Sequence, residues 1–468
     1  MNTQNIQDIY ELSPIQQGIL FHCVYAPESG FYIVQKTFTL SKNFNLINFD
    51  RAWQQVVARH TSLRTSFYWE ETNKPLQVVY KYVKVPIEQQ DWRGLAPVEQ
   101  QTRLESFLKS DRQKSIDLFQ KCLMRLTLLR LSDDSYKFIW TSHFINMDGW
   151  SEMLVLNDFI QLYEAFCQDK EPSLRVGSSY KNYITWLQQQ DLSQAKVFWQ
   201  QTLKGLKAPT LLTKWYVDSF SNQEEKHDIQ RIFLSETKTA ELISFARQHQ
   251  ITLNTLIQGA WAWLLSRYSG TKKVVYGYTT FCRPVDLVEV DSMVGTFVNA
   301  LPMWVEVDDR QALLPWLKQL QGQLVEMRRY EYVPLVEIQE CTKIPQNIPL
   351  FESLVTFEKV PLMSSSIFGG QTELEVVIDD IWYKTNYPLN LVVYPVDQLI
   401  LEIAHHCHIF DATTAAGMLQ HLAILLQDML NNPEARLEDL TLLTPAHKQL
   451  RQILAKEAIL NSDFSSCS

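Results

Sequence analysis

The sequence predicts a mixed α/β protein in which strands and helices alternate along nearly the whole chain. Short runs rich in β-branched and aromatic residues, such as 31–40, are followed by segments with helical spacing of apolar residues, such as 48–60. Hydrophobic residues make up 46% of the 468 residues and aromatic residues 12%, which is enough for sizeable cores. The length suits two or three domains, or one large two-lobed unit.

The individual elements follow from the same two patterns. The 48–60 helix has Asn48 or Asp50 near its N-terminus, and a second helix is predicted over 150–166. Further strands of the first third are predicted at 76–82, 122–131 and 136–143. A loop at 171–179, which contains Pro, Gly and Ser, predicts a junction between an N-terminal lobe, 1–176, and a C-terminal lobe, 177–452.

The second lobe repeats the mixture of strands and helices. Helices are predicted at 190–204, 236–248, 252–268, 312–330 and 411–430. Strands are predicted at 228–234, 273–280, 296–305, 353–358, 374–383 and 398–406. The polar stretch 453–468 is predicted to be a linker or a frayed tail.

Charge and cysteine usage restrict the partners and the compartment. Lys and Arg number 43 against 52 Asp and Glu, a net charge of −9, which argues against a general nucleic-acid or anionic-membrane binder. No apolar run is long enough to cross a bilayer, and the first ten residues lack the features of a secretory signal. The seven cysteines are scattered without CxxC pairs, which is typical of reduced thiols and predicts a cytoplasmic protein.

The most informative segment joins the predicted strand 136–143 to the following helix. It reads His143-Phe144-Ile-Asn-Met-Asp148-Gly149, and Trp150 and Ser151 come directly after it. This resembles the His-His-x-x-x-Asp-Gly signature of nonribosomal peptide synthetase condensation domains. Phe144 stands where the family has its second histidine.

Other motifs of the family occur in the expected order. The stretches of this chain that resemble them are 12–22, 59–65, 180–186, 283–284, 293–299, 332–339, 350–353, 385–389 and 410–411. Each of these motifs is weak by itself, whereas the ordered set is specific. The opening motif and the stretch 385–389 resemble condensation domains that join two L-amino acyl units.

The resemblance implies two chloramphenicol-acetyltransferase-like lobes that form a V-shaped pseudo-dimer with a central tunnel. It implies donor and acceptor peptidyl carrier proteins, which deliver phosphopantetheine arms to the tunnel, and a neighbouring adenylation domain. No cofactor is expected to be bound covalently, because the chain has no Gly-Gly-x-Ser attachment site and the nearest text, Gly369-Gly370-Gln-Thr, lacks the serine. A monomer is expected, because two lobes already make the cleft.

The catalytic positions are Phe144, His143, Asp148 and Gly149. In the family the second histidine supplies a basic nitrogen near the amine, and the Phe144 ring can neither accept nor donate a proton. His143 is either a displaced base or, as we favour, a histidine that supports the loop. Asp148 is interpreted as structural rather than directly catalytic, with Arg64 or Arg283 as its partner. Gly149 fits a turn that a side chain would obstruct.

Further residues are assigned to the structure around the tunnel or to its walls: Arg64, Arg283, Trp150, Ser151, Asn386 and Tyr387. Asn146 caps a turn or presents its amide to the tunnel, and we favour the turn. The run His405-His406-Cys407-His408 suggests a metal site, but strand alternation sends its members to opposite faces, so no metal is expected.

Three functions are compatible with the sequence. The first is peptide-bond formation that is impaired by Phe144. The second is a non-condensing docking or gating domain that recruits carrier proteins or trans-acting enzymes. The third is another acyl transfer, with His143 or a substrate group as the base. Because the residues along the carrier path match the family pattern, we rank the first function highest.

Overall fold

The protein is described by a computed structural model that covers residues 3–41, 44–174, 177–212, 227–358 and 375–442. The predicted tail 453–468 and the Gly369-Gly370 segment lie outside these ranges. Among the described helices, none combines the length and the hydropathy that a membrane span requires.

The first part of the chain alternates strands and helices, as the sequence predicts. Its helices are α1 (Pro14–Tyr25), α2 (Leu46–Arg59), α3 (Pro97–Gln113) and α4 (Gly149–Cys167). Its strands are β1 (Ile6–Glu11), β2 (Ile33–Ser41), β3 (Thr65–Tyr68), β4 (Leu76–Tyr80), β5 (Ile87–Asp91), β6 (Met124–Arg130) and β7 (Ser135–His143).

The second part continues the mixture. Its helices are α5 (Tyr180–Gln188), α6 (Leu192–Thr202), α7 (Glu236–Gln248), α8 (Leu253–Ser269), α9 (Leu313–Met327), α10 (Leu335–Glu340) and α11 (Ala412–Asn431). Its strands are β8 (His227–Phe233), β9 (Lys273–Phe281), β10 (Val298–Glu306), β11 (Ser353–Phe357), β12 (Glu375–Tyr383), β13 (Leu389–Tyr394) and β14 (Ile400–His406). The mixed α/β class is confirmed.

The described strands form three sheets. A three-stranded sheet has the order β1-β4-β3, a five-stranded sheet the order β12-β2-β7-β6-β5, and a six-stranded sheet the order β10-β9-β11-β13-β14-β8. In the six-stranded sheet, β11 runs parallel to both of its neighbours, β9 and β13. The C-terminal ends of β9, β11 and β13 therefore lie at the same edge of this sheet.

One strand crosses between the two parts of the chain. β12 comes from the C-terminal part, yet it pairs antiparallel with β2 along the edge of the five-stranded sheet, with Ile381 opposite Lys36. The predicted boundary between residues 176 and 177 therefore does not divide the strands cleanly between the two larger sheets, because β12 follows the boundary and pairs with β2, which precedes it. The V-shaped arrangement of two lobes stays a prediction.

Each large sheet has its own apolar core. In the five-stranded sheet, α2 and α4 pack together over an aromatic cluster in which the rings of Trp53 and Phe159 stack with centroids 4.8 Å apart. Such aromatic pairs add to the stabilisation from apolar burial. In the six-stranded sheet, α8 is buried along most of its length, and Gly270 ends it in the left-handed conformation. These two cores stabilise the two larger sheets, and the candidate site described below lies between those sheets.

Candidate active site

The family-like segment forms a tight turn between β7 and α4, which we call the signature turn (residues 143–151). Asp148 is the N-cap of α4: its Oδ1 accepts a hydrogen bond from the Ser151 amide at 2.9 Å. A carboxylate at this position satisfies a free helix amide and complements the helix dipole. The sequence therefore starts α4 at Gly149, directly after this cap.

Asp148 also ties the turn to the segment before β10. Its Oδ2 accepts from the Phe297 amide at 2.9 Å, and its own amide donates to Gly295 O at 3.1 Å. Arg283 Nη2 lies 3.7 Å from Asp148 Oδ1, so of the two predicted partners the structure selects Arg283. Arg64 instead donates to Ala58 O at 3.2 Å and to Gln7 Oε1 at 2.6 Å.

Ser151 and Trp150 extend this network. Ser151 Oγ donates to Gly295 O at 2.7 Å and accepts from the Gly295 amide at 3.1 Å and from Arg283 Nη2 at 3.0 Å. Trp150 Nε1 donates to Asp291 O at 3.2 Å. The hydrogen bonds of both side chains are therefore directed to the 291–295 segment and to Arg283.

His143 is part of the support of the turn. Its Nδ1 accepts a hydrogen bond from the Ile145 amide at 3.1 Å, so the ring proton of the neutral form lies on Nε2, which is 3.5 Å from Cys23 Sγ. Burial lowers the pKa of His143 to about 3. Both ring nitrogens have neighbours, which favours the structural interpretation over a displaced base.

Asn146 lies in the same turn. It is 2% exposed, and its Nδ2 donates to Ser62 O at 3.2 Å, whereas its Oδ1 is buried without a partner among the described residues. Asn146 does not line the cavity described next, which agrees with the preferred role in the turn.

A cavity of about 180 Å³ lies between the two larger sheets, beside the start of α4. We call it the central cavity. Phe144, Gly149 and Tyr387 line it, together with apolar side chains from α1, β10 and β11 such as Ile15, Val298 and Leu354. Of the predicted catalytic residues, the structure therefore brings Phe144 and Gly149 to the cavity wall.

Asn386 lies next to the cavity wall rather than in it. Its Oδ1 accepts from the Tyr32 hydroxyl at 2.8 Å, and its Nδ2 is 3.3 Å from His22 Nε2. Tyr387 lines the cavity, and its ring stacks on Phe351 with centroids 5.4 Å apart. The stretch 385–389 therefore links α1 and the residue before β2 to the cavity wall.

Four charged residues of the cavity were missed by sequence reasoning: Lys36, Glu152, Glu358 and Lys384. Lys36 and Glu152 form a buried ion pair, and Glu152 Oε1 also accepts from Ser142 Oγ at 2.8 Å. A lysine in the middle of a β-rich strand and a glutamate four residues after the N-cap of an apolar helix are the signals that could have indicated this pair.

Glu358 follows the last residue of β11. Its amide donates to Val393 O at 2.8 Å, whereas its Oε2 is buried without a hydrogen-bond partner among the described residues. Burial, followed by the charges of Asp148 and Glu152, raises the pKa of Glu358 to about 7, although Lys36 opposes this shift. The only sequence signal for this residue is an acidic side chain directly after an apolar strand.

The structure gives the glycine at position 149 a different role from the one that the sequence predicts. Gly149 is the first residue of α4 and is not among the described residues with positive φ, so no strained turn requires a glycine. A Cβ at this position would lie 3.4 Å from both carboxylate oxygens of Glu358. A methyl group would therefore reach van der Waals contact with the carboxylate, and its absence leaves that side of the carboxylate more open.

The histidine run near residue 405 does not converge on one point. The ring of His405 hydrogen bonds to Phe410 O through Nδ1 at 2.8 Å, whereas His406 hydrogen bonds to Thr385 O through Nε2 at 3.0 Å. In the part of the chain that the structure describes, no group of three His, Cys, Asp or Glu side chains could hold a metal ion.

Comparison with known proteins agrees with this geometry. The sequence model of the condensation domain matches residues 6–451. The chain belongs to the condensation-domain family. It is thus a condensation domain of the kind found in nonribosomal peptide synthetases, as its motifs predicted.

Individual relatives support the same assignment. The chain is 40% identical over 447 residues to one of the subunits that make up the linear gramicidin synthase of Brevibacillus parabrevis, with 95% of this chain and 6% of that protein covered. It is 29% identical over 468 residues to tyrocidine synthase 2 of the same organism, with 99% and 13% covered. The chain thus spans only a small part of such relatives.

Solved structures show the same fold at low sequence identity. The starter condensation domain of rhizomide synthetase, in complex with C8-CoA, has a TM-score of 0.80 and 18% identity, with 93% of this chain and 98% of that chain covered. The X-domain in its complex with OxyB from teicoplanin biosynthesis has a TM-score of 0.77 and 19% identity, with 94% and 97% covered.

Proposed function

We propose that this condensation domain joins a donor peptidyl or aminoacyl thioester to an acceptor aminoacyl amine, and that Phe144 impairs the reaction. Both substrates arrive on phosphopantetheine arms of carrier proteins, with an adenylation domain as the neighbour in a cytoplasmic synthetase. The observation that carries the proposal is the central cavity at the start of α4, where Phe144 and Gly149 of the signature turn meet between two sheets.

The cavity residues fit such arms. Apolar walls suit the hydrocarbon parts of an arm, and Thr279, Thr356 and Asn390 on the wall offer hydroxyl and amide groups for its amides. The arm itself supplies the thioester. Holding amine and thioester together replaces a bimolecular encounter and contributes about 7–11 kcal/mol at best.

Phe144 limits the chemistry by what its side chain lacks. General acid–base assistance is worth about 10²–10⁴ in rate, and a phenyl ring supplies none. Its backbone is held in place, because the Phe144 amide donates to Tyr32 O at 2.8 Å and Phe144 O accepts from Thr296 Oγ1 at 2.6 Å. A histidine at position 144 would therefore keep the backbone position of Phe144.

The test is the Phe144→His substitution. With cognate loaded carrier proteins, we expect dipeptidyl thioester formation to rise by at least about tenfold, because the imidazole adds a basic nitrogen that can accept or position the proton of the amine. Mass spectrometry of the carrier arms measures the product. Phe144→Leu is the control, since it changes the shape without adding a base. An unchanged rate in Phe144→His would contradict the idea that this position limits catalysis.

The second candidate is a docking or gating domain that forms no peptide bond. The structural similarity to the X-domain seen in complex with OxyB favours it, because a domain of this fold is there bound to another protein. In this case carrier proteins should bind with unchanged affinity, while neither the original chain nor Phe144→His yields a dipeptidyl thioester. The third candidate, in which His143 is the base, is disfavoured by the occupied Nδ1 and the low pKa of that ring.

A further inference from the structure

We infer that Glu358 is the group in the central cavity that accepts the proton of the acceptor amine. This inference rests on the proposed function, because it assigns a residue to that reaction. Glu358 lies on the cavity wall beside Gly149, and its Oε2 has no hydrogen-bond partner among the described residues. An enclosed carboxylate oxygen without a partner is costly, and a ligand in the cavity would supply the missing donor.

Glu358 differs from the other carboxylate on the described cavity wall. Glu152 is saturated by Lys36 and by Ser142 Oγ, and Lys36 is committed to that pair. Glu358 therefore has an oxygen available for a ligand. The backbone holds it in place through the bond to Val393 O, and the absence of a Cβ at Gly149 leaves room at its carboxylate. The N–H group of a bound amine is a hydrogen-bond donor that this oxygen lacks.

The surrounding charges suit a proton acceptor at neutral pH. Burial and the negative charges of Asp148, Glu152 and Glu402 favour the protonated form of Glu358, whereas Lys36 favours the ionised form. The N-terminus of α4, which lies next to the carboxylate, also favours the ionised form. The resulting pKa of about 7 leaves an appreciable fraction of Glu358 ionised at neutral pH. A base whose pKa lies near the working pH meets the condition for efficient general base catalysis.

The reaction can be written with these groups alone. The amine nitrogen attacks the thioester carbon, a C–N bond forms, and the ionised Glu358 takes the proton that the nitrogen loses. The C–S bond then breaks, and the leaving thiolate takes this proton from the Glu358 carboxyl. The products are an amide and a thiol, and no oxidant, reductant or metal is consumed.

The test is the isosteric variant Glu358→Gln in the full chain. Glycine, alanine and leucine loaded on an acceptor carrier protein serve as probes, and product is measured by mass spectrometry from about pH 5.5 to about pH 8.5. We expect the rate to fall by at least about tenfold, and the inflection near neutral pH that belongs to Glu358 to disappear. Glu358→Asp keeps an acid with a shorter reach, so the rate should fall less and the inflection should persist.

Glu331→Gln is the matched control. Glu331 is another enclosed glutamate whose pKa burial raises to about 7, and it does not line the central cavity. Its rate and pH profile should match those of the original chain. If Glu331→Gln reproduces the Glu358→Gln effect, a general effect of charge removal explains both, and the inference is overturned.

The outcomes separate this inference from the proposed function. Product formation with an unchanged rate and pH profile in Glu358→Gln overturns the role of Glu358 and leaves peptide-bond formation standing. The absence of product from the original chain and from Phe144→His, with carrier binding intact, overturns both. Thermal melting of each variant shows whether it folds. If Glu358→Gln does not fold, the decision passes to Glu358→Asp, for which an unchanged rate overturns the inference.

Discussion

The buried acidic groups of the signature turn and of the central cavity wall differ in their hydrogen-bond partners. In the turn, Asp148 has two amide donors and an arginine around its carboxylate. Across the start of α4, Glu358 has an oxygen without a partner among the described residues. Asp148, the acidic residue of the family signature, therefore belongs to the scaffold of the turn. The reactive polar group lies on a strand end that faces this scaffold.

The largest expected effect concerns the scaffold. Asp148→Ala removes the N-cap of α4, leaves the Phe297 amide without its acceptor and leaves Arg283 buried without its nearest carboxylate. We expect the free energy of unfolding to fall by about 3–5 kcal/mol, the range for breaking a buried charge pair. Urea unfolding measures the change.

Asp148→Asn is the control for this prediction. Asparagine is as good an N-cap as aspartate, so the Ser151 amide keeps an acceptor while the charge facing Arg283 is lost. Its loss of stability should be smaller, about 1–3 kcal/mol. A catalytic role of Asp148 without a structural one predicts the opposite pattern: folding unchanged in both variants and activity abolished in both.

The next effect concerns the cavity wall and its dependence on pH. The pKa of Glu358 rises from 4.5 to about 7 on folding, so the folded protein keeps this proton longer than the unfolded chain. The contribution of Glu358 to the stability of the original chain should therefore decrease as pH rises from about 4.5 to about 7 and should then level off. Glu358→Gln cannot ionise, so it should lose this part of the pH dependence.

Urea unfolding of both proteins near pH 5 and near pH 8 tests this prediction. The stability of Glu358→Gln relative to the original chain should increase by up to about 3 kcal/mol between the two pH values. His143, whose pKa is lowered to about 3, gives the opposite slope below about pH 6.5, but it does so in both proteins and cancels in the difference. A difference that does not change with pH would show that Glu358 is not desolvated.

Sequence patterns predict the helices and strands in which buried apolar residues recur at regular spacing. The helices over 236–248 and 252–268 were found almost to the residue, as α7 and α8, because capping side chains mark their starts. The helix predicted at 48–60 begins earlier, at Leu46, because Asn45 is the cap rather than Asn48 or Asp50. Helix α3 was missed because its described residues are mainly polar and exposed, and its one fully buried residue is Asp111.

The candidate site was predictable only in its local part. The motif identified the turn, its N-cap and the departure at Phe144, because these lie within one short segment. The cavity depends on contacts that no local pattern encodes, such as the pairing of β12 with β2 across more than 300 positions of the chain. Glu358 shares the wall with α4 only after this folding, so its enclosure and raised pKa are tertiary effects.

The smallest expected effect concerns Gly149, where the signature turn meets Glu358 on the cavity wall. Gly149→Ala places a methyl group 3.4 Å from both Glu358 carboxylate oxygens. The helix itself should tolerate alanine, which is the better helix former by about 1 kcal/mol in helix interiors, so the melting temperature should stay unchanged or rise slightly. The methyl group should hinder an amine that approaches Glu358, and the rate of product formation should fall about threefold, which corresponds to about 0.6 kcal/mol.

Gly18→Ala is the matched control, because it is also a helical glycine and its added Cβ would meet nothing within 4 Å. This variant should keep both its stability and its rate. If Gly149→Ala instead loses stability and keeps its rate, the glycine serves packing of the scaffold. The contrast between Asp148 in the turn and Glu358 on the wall would then no longer extend to residue 149.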